Sequence, residues 1–343
     1  MRFHKVSWTA VALAGMVTGG MMAAEEAAFL ISPAGPADGN AAHIHRINAA
    51  GDVAGWVTGS AGSVDAFRQV SDTTSKIAVE TGLERWGQDI NAAGSVAGYF
   101  RVGRENFKPF LLLGGTLAML DTPAGAGKAF ALNDAGAVAG EFVNAEGKSR
   151  ACVWTGGILA EIPTLGGTES WGRGINTRGD VVGASQTSTK DENGVEILDV
   201  AIHAFLYRDT KMTDLGTLGG PYAEAWDVSD AGDVVGGSST ATGDQHAFLY
   251  KGSAMVDLKT LGGNYSWAWG INKNGRIVGE SKTTNGQTHA FIHENGVMKD
   301  LNDLIPKDSG WVLVSARDTN DKGQVAGYGT YGGKTRAFVM TPR

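Results

Sequence analysis

Five tryptophans stand at two fixed offsets from a phrase that recurs along the chain, an aliphatic residue followed by Asn. Trp86, Trp171 and Trp267 lie four residues before its first member, and Trp226 and Trp269 lie two before it. Aromatic faces gathered at one acidic opening suit stacking on sugar rings or gripping an extended peptide. These five are therefore the candidate ligand-binding residues, with packing between repeats as the competing use of each ring. Three histidines, His203, His246 and His289, each precede an aspartate (Asp214, Asp257, Asp300) by 11 residues. They fall in different repeats, too far apart for bonds of about 2.0–2.1 Å to one ion. Each is expected to pair with its own aspartate, and no metal or cofactor is expected.

Catalytic residues are expected to be absent. The chain has no Gly-x-Ser-x-Gly elbow, no His-Glu-x-x-His, no phosphate loop and no dinucleotide fingerprint. Glu80, Asp121 and Glu224 could do acid–base work, but similar acids recur in most repeats. Groups that break a repeat are better candidates for chemistry, and segments 101–108, 186–202 and 302–311 break this one. Asp191-Glu192-Asn193-Gly194 offers oxygen ligands without a complete Ca²⁺ loop pattern.

The element that must position these residues is a hairpin, clearest at Gly270-Ile271-Asn272-Lys273-Asn274-Gly275-Arg276-Ile277-Val278-Gly279. It occurs seven times, with anchors at Ile47, Ile90, Leu132, Ile175, Val228, Ile271 and Thr319, where only Ser229 replaces Asn. The separations are 43, 42, 43, 53, 43 and 48, the length of a propeller blade. A second phrase follows each hairpin, as His203-Ala204-Phe205, and then a third, as Met212-Thr213-Asp214-Leu215-Gly216. Each unit thus reads as four short strands: A ending at the anchor, B at Val-Val-Gly, C at His-Ala-Phe, D at Met-x-Asp-Leu. Asn accepts from the turn amides, and Gly three residues on takes the left-handed conformation. Alternation puts Trp267, Trp269 and Ile271 on one face of strand A, with Ala268 and Gly270 on the other. The spacing of 11 sets each His opposite its Asp, and Phe205, Phe248 and Phe291 opposite Met212, Met255 and Met298.

The last unit stops after strand C, Arg336-Ala337-Phe338-Val339-Met340, and Phe29-Leu30-Ile31-Ser32 falls at the missing D position. The expected fold is therefore all-β: a seven-bladed β-propeller of four-stranded antiparallel blades, closed by an N-terminal strand completing the last blade. An open β-solenoid or another blade count is the alternative. The domains are a secretory signal peptide at 1–24 (Arg2, Lys5, an apolar run, small residues to Ala24) and a single propeller domain at 25–343. No other stretch is apolar enough to span a membrane. Cys152 is the one cysteine, so no internal disulfide forms. The net charge of −7 disfavours a nucleic-acid partner.

The His-Ala-Phe phrase, the Asp214-Leu215-Gly216-Thr217-Leu218-Gly219-Gly220 link, the Ile-Asn-x-x-Gly hairpin and the closing Gly327-Tyr328-Gly329-Thr330…Arg336-Ala337-Phe338 resemble the bacterial extracellular HAF-repeat family. The resemblance covers about residues 29 to 343 and is clearest in units 4 to 6. It implies export by a bacterium and a β-rich repeat, and brings no reaction or ligand with it. The expected protein is a monomeric extracellular or periplasmic scaffold that binds a glycan or extended peptide at the rim of D–A and B–C loops. The alternatives are an interaction module contacting an envelope protein, and a propeller enzyme such as a lyase or glycosidase.

Overall fold

A computed structural model describes residues 27–59, 62–78, 84–104, 106–190 and 193–343. The leader assigned to 1–24, and Glu80, Asp191 and Glu192, lie outside these residues. One strand, β1 (Phe29–Ala34), precedes the first complete unit. Unit 1 is β2 (Ala41–Ile47), β3 (Val53–Thr58), β4 (Val64–Val70) and β5 (Thr73–Lys76). Unit 2 is β6 (Arg85–Ile90), β7 (Val96–Arg101), β8 (Phe107–Leu113) and β9 (Thr116–Met119). Unit 3 is β10 (Gly127–Leu132), β11 (Val138–Val143), β12 (Ser149–Thr155) and β13 (Ile158–Glu161). Unit 4 is β14 (Gly166–Ile175), β15 (Val181–Lys190), β16 (Glu196–Arg208) and β17 (Lys211–Gly216). Unit 5 is β18 (Gly219–Val228), β19 (Val234–Thr240), β20 (Gln245–Lys251) and β21 (Ala254–Asp257). Unit 6 is β22 (Gly262–Ile271), β23 (Ile277–Thr283), β24 (Thr288–Glu294) and β25 (Val297–Asp300). The last strands are β26 (Trp311–Thr319), β27 (Val325–Tyr331) and β28 (Lys334–Pro342). They form a four-stranded sheet in the order β1-β28-β27-β26. Four-stranded antiparallel sheets with almost no helix make an all-β, propeller-like architecture. The one helical element among the described residues is the 3-10 turn Leu301–Asp303, capped by Asp300.

The first strand pairs with the last antiparallel, from Phe29 opposite Pro342 to Ala34 opposite Ala337. Phe29 is buried in the core of that sheet with Phe338 and Met340. The other face of the same sheet presents Ala326 and Ala337 to Ile44, Val57 and Phe67 of unit 1. This small-against-large packing repeats: Ala131, Ala139 and Ala151 of unit 3 meet Ile175, Val181 and Phe205 of unit 4, and Val235 and Ala247 of unit 5 meet Ile271, Ile277 and Phe291 of unit 6. In the repeated phrase, Ala therefore faces the next unit and Phe its own unit's core, burying about 1.5–3 kcal/mol of apolar side chain per Phe. Cys152 stands where other units have Phe, and the fully buried Trp154 two residues on fills the space. Strand B needs its glycine because a Cβ at Gly279 would lie 2.0 Å from the Trp267 carbonyl oxygen and 2.6 Å from the Phe291 ring.

The turns behave as the sequence predicts. Asn48 Oδ1 accepts from the amides of Ala50, Gly51 and Asp52 at 2.9, 3.0 and 2.9 Å, and Gly51 has φ +106°.

Three expectations are corrected. The C and D strands pair two residues out of the expected register: Phe205 lies opposite Asp214, and Tyr207 opposite Met212. The D strand returns through two-residue turns such as Asp209-Thr210, both with positive φ, and this shortest hairpin fixes the register. The His–Asp pairs still form, diagonally, at 2.9 Å for His203–Asp214 and His246–Asp257 and 2.5 Å for His289–Asp300. Strand A does not alternate cleanly, because the pairing of β22 with β23 skips Trp269, passing from Ala268–Gly279 to Gly270–Val278. Finally, the 186–202 insertion extends β15 and β16 into a paired ribbon that reaches Lys190–Glu196, rather than forming a loop.

Candidate functional site

The skipped residue is a β-bulge, and the same bulge occurs in strand A of every unit. The bypassed positions are His45, Gln88, Phe130, Arg173, Trp226, Trp269 and Arg317. A bulge leaves one residue out of the ladder and re-aims its side chain. Here all seven, joined by Arg46, line one cavity of about 20 Å³, room for about one water. The turns are nearly identical from unit to unit, whereas these seven positions hold five residue types, with only Trp and Arg used twice. That contrast marks the cavity as the place where the repeat is individualised.

Arg46 also lines a second cavity, of about 230 Å³, on the side of the A–B turns. It stands against three aspartates, at 3.3 Å from Asp227, 3.5 Å from Asp318 and 4.0 Å from Asp89. Each aspartate also accepts the backbone amide of the next unit's anchor: Asp89 from Leu132, Asp227 from Ile271 and Asp318 from Ile47, at 2.8, 2.9 and 2.9 Å. Burial pushes the Asp89 carboxyl up to about 7 and that of Asp318 to about 6, with Arg46 pulling the other way. This layer is a polar floor between the two cavities.

Above it runs an arc of rings in contact: Trp86 with Tyr99 (5.2 Å between centroids), Tyr99 with Phe130 (5.6 Å), Phe130 with Trp226 (6.4 Å), Trp226 with Trp269 (4.8 Å) and Trp269 with Trp267 (5.6 Å). Arg173 is clamped between Glu224 (2.7 Å) and Glu141 (2.9 Å) and lies over Phe130 and Trp226. Burial would raise the Glu141 carboxyl, but Arg173 and Lys128 hold it below its ordinary value. On the flank, His45 accepts from Trp56 Nε1 at 3.2 Å through Nε2, so its Nδ1 carries the proton donated to Gln88 at 2.9 Å. That imidazole is neutral, its pKa lowered first by burial and then by Arg317.

Of the five predicted tryptophans, four lie on this arc. Trp226 and Trp269 line the small cavity; Trp267 is buried beside Trp269, 8% exposed; Trp86 is half-buried at the far end. Trp171 is half-buried and has no ring contact among the described residues. Of the acids, Asp121 is exposed and Glu224 is taken up by Arg173. Sequence reasoning missed His45, Gln88, Phe130, Arg173 and Arg317, although they share the offset of Trp226 and Trp269, two before the anchor. It also missed Arg46, Asp89, Asp227 and Asp318 one residue later.

No family model matches the chain, and no curated protein matches it in sequence. Among solved structures it resembles a puromycin-hydrolysing peptidase from Mycobacterium tuberculosis, at TM-score 0.53 and 10% identity, over 92% of this chain and 51% of that one. TolB from Acinetobacter baumannii matches at TM-score 0.47 and 10% identity, over 84% of this chain and 63% of its own. AofleA from Arthrobotrys oligospora matches at TM-score 0.42 and 13% identity, over 90% and 86%. The chain thus spans about half of the peptidase and under two thirds of TolB. At 10% identity the peptidase likeness speaks to the fold alone, and the lower scores carry no argument. Among the described residues no helix is long and apolar enough to cross a membrane.

Proposed function

We propose that this chain is an exported member of the HAF-repeat family, a closed seven-bladed propeller that binds a glycan at the ring arc above the Arg46 floor. The observation that carries the reading is the ring of bulged positions, where seven otherwise repeating units present seven individually chosen side chains to one cavity. Half-exposed rings among fixed hydrogen-bonding groups are what saccharide recognition uses, since sugar rings offer apolar faces and hydroxyl edges together. Strand pairing of Phe29–Ala34 with the last sheet supports closure, and the sequence at 1–24 supports export. A glycan array followed by tryptophan-fluorescence titration tests this. Binding should weaken about tenfold or more in Trp86→Ala, read at a temperature where circular dichroism shows the variant folded, on the basis of about 1.5–3 kcal/mol for a large apolar contact. A folded protein that binds no saccharide refutes it.

One observation favours a second reading, an envelope-protein interaction module. The β15–β16 ribbon exposes Val195, Ile197 and Val200 at 61, 46 and 45%, and exposed apolar side chains grouped on a projecting element mark contact surfaces. Loss of a stoichiometric partner in Ile197→Asp, with no saccharide bound by the parent protein, would select it.

A further inference from the structure

Two arginines occupy equivalent bulged positions over the floor, and their surroundings differ. Arg173 is saturated by Glu224 and Glu141. The Arg317 guanidinium carbon lies 3.7 Å from the centroid of Trp269, and no carboxylate among the described residues comes within ion-pairing distance of it. The acid that acts on it most strongly, Glu280, accepts the Tyr265 hydroxyl at 3.0 Å. A guanidinium lying on an indole uses its face; its five N–H donors lie in the plane, free at the edge. Burial lowers the Arg317 pKa, the mark of a desolvated charge lacking a full counterion.

The other unmet groups around it point the same way. The indole nitrogens of Trp226, Trp267 and Trp269 are buried with no acceptor. These are donors, and a buried donor without a partner costs about 1–3 kcal/mol. The imidazoles cannot supply what is missing: His45 has both nitrogens engaged, and His43, lowered to about 4 by burial and then by Arg317, is neutral and stacked on Trp56. Three arginines line the cavity, but Arg46 is held by three aspartates and Arg173 by two glutamates, so among the described lining residues Arg317 alone has its charge left for a ligand, which suits a single negative charge. A monoanion with two oxygens in one plane matches the edge of a guanidinium. The cavity is too small for a sugar ring, so the ring must stay outside, over the half-exposed arc.

We propose that Arg317 is an acid-recognising residue, and that the glycan of this site is a uronate-type saccharide whose carboxylate lies against the free in-plane edge of Arg317. This rests on the glycan reading above and narrows it to one chemical class.

The test is a fluorescence and calorimetric titration of the whole chain with a uronic acid tetrasaccharide and with its carboxyl-reduced neutral counterpart, each at low and at physiological salt. The uronate should bind about tenfold tighter or more, the range expected for a charge-assisted hydrogen-bonded pair. Arg317→Gln should abolish the preference while keeping the weaker neutral affinity, and Arg317→Lys should keep part of it. Equal affinity for both sugars in the parent protein overturns the carboxylate assignment and leaves the glycan reading standing; binding of neither overturns both. If Arg317→Gln does not fold, salt decides in the parent protein: uronate affinity that falls with salt while neutral affinity stays level supports the assignment, and two level responses overturn it.

Discussion

In six of the seven A–B turns the asparagine side chain does more than hold its own turn. Its Nδ2 donates to the carbonyl of the matching residue one unit on: Asn48 to Asn91, Asn91 to Asn133, Asn133 to Asn176, Asn176 to Ser229, Asn272 to Asn320 and Asn320 to Asn48, at 3.0, 3.3, 3.0, 3.1, 3.0 and 3.0 Å. The seventh link is missing because Ser229 has no amide to reach Asn272, and its Oγ accepts from Asp233 at 3.2 Å. Ser229→Asn should complete the circuit. Each carbonyl already accepts its own turn glycine, as Asn272 does from Gly275 at 3.0 Å, so what is gained is one incremental buried bond of about 1 kcal/mol. Asn133→Ser opens a second gap and should cost about the same. In urea unfolding with a slope of roughly 3 kcal/mol/M, the two midpoints should move in opposite directions by about 0.3 M with the slope unchanged. Midpoints that move the same way, or a Ser229→Asn protein that is less stable, would refute the idea that these side chains link the units.

The floor predicts a pH response. Asp89 and Asp318 have folded-state pKa values raised by burial, to about 7 and 6, so the folded chain holds these protons more tightly than the unfolded one. Each therefore adds stability as pH falls from 8 to 5, while His43, His45 and His293, whose values burial lowers, take stability away over the same window. The comparison with Asp89→Asn isolates the floor: in denaturant midpoints the parent should gain roughly 2–3 kcal/mol on that variant between pH 8 and 5, and a difference that stays constant contradicts it. At the turn of unit 6, Gly275 has φ +79° and open space around a built Cβ. Gly275→Ala should thus cost about 1 kcal/mol from backbone conformation alone, and no measurable loss in thermal unfolding would count against that turn. Removing every residue before Gly35 takes away β1 and buried Phe29. With about 3–5 kcal/mol lost from the aromatic alone and an unpaired β28 edge, light scattering should show aggregation; a monomer with unchanged melting temperature would contradict it.

The repeat and the role of Phe29–Ser32 are readable because they rest on local chemistry: Asn-x-x-Gly closes a hairpin by itself, and counting from it places everything at the same offset. The C–D register was also encoded, in Gly114-Gly115, Gly156-Gly157 and Asn295-Gly296, two-residue turns with positive φ at both positions that demand the tighter pairing. The bulge left no such trace. Nothing about Trp269 or Arg317 announces that the ladder skips it, because a bulge is set by how neighbouring strands fit around the cavity rather than by the residue's own preference. Strict alternation therefore put Trp267 and Trp269 together on one face, and tryptophans drew attention where an offset shared with Arg173 and Arg317 carried the better signal. The pairing state of those arginines depends on acids from other units, Glu141 and Glu224 for one and none for the other, which no linear spacing reveals.

The account stands on the first strand lying beside the last. Leu30 and Thr341 are paired in that register and both are exposed, and the one native cysteine, Cys152, is buried. A Leu30→Cys, Thr341→Cys protein oxidised at low concentration should form one intramolecular disulfide, seen by mass spectrometry of a non-reduced digest, and gain at most about 5 kcal/mol from closing nearly the whole chain into a loop. Two free thiols, or disulfide-linked dimers in place of the internal bond, would mean that the ends do not meet.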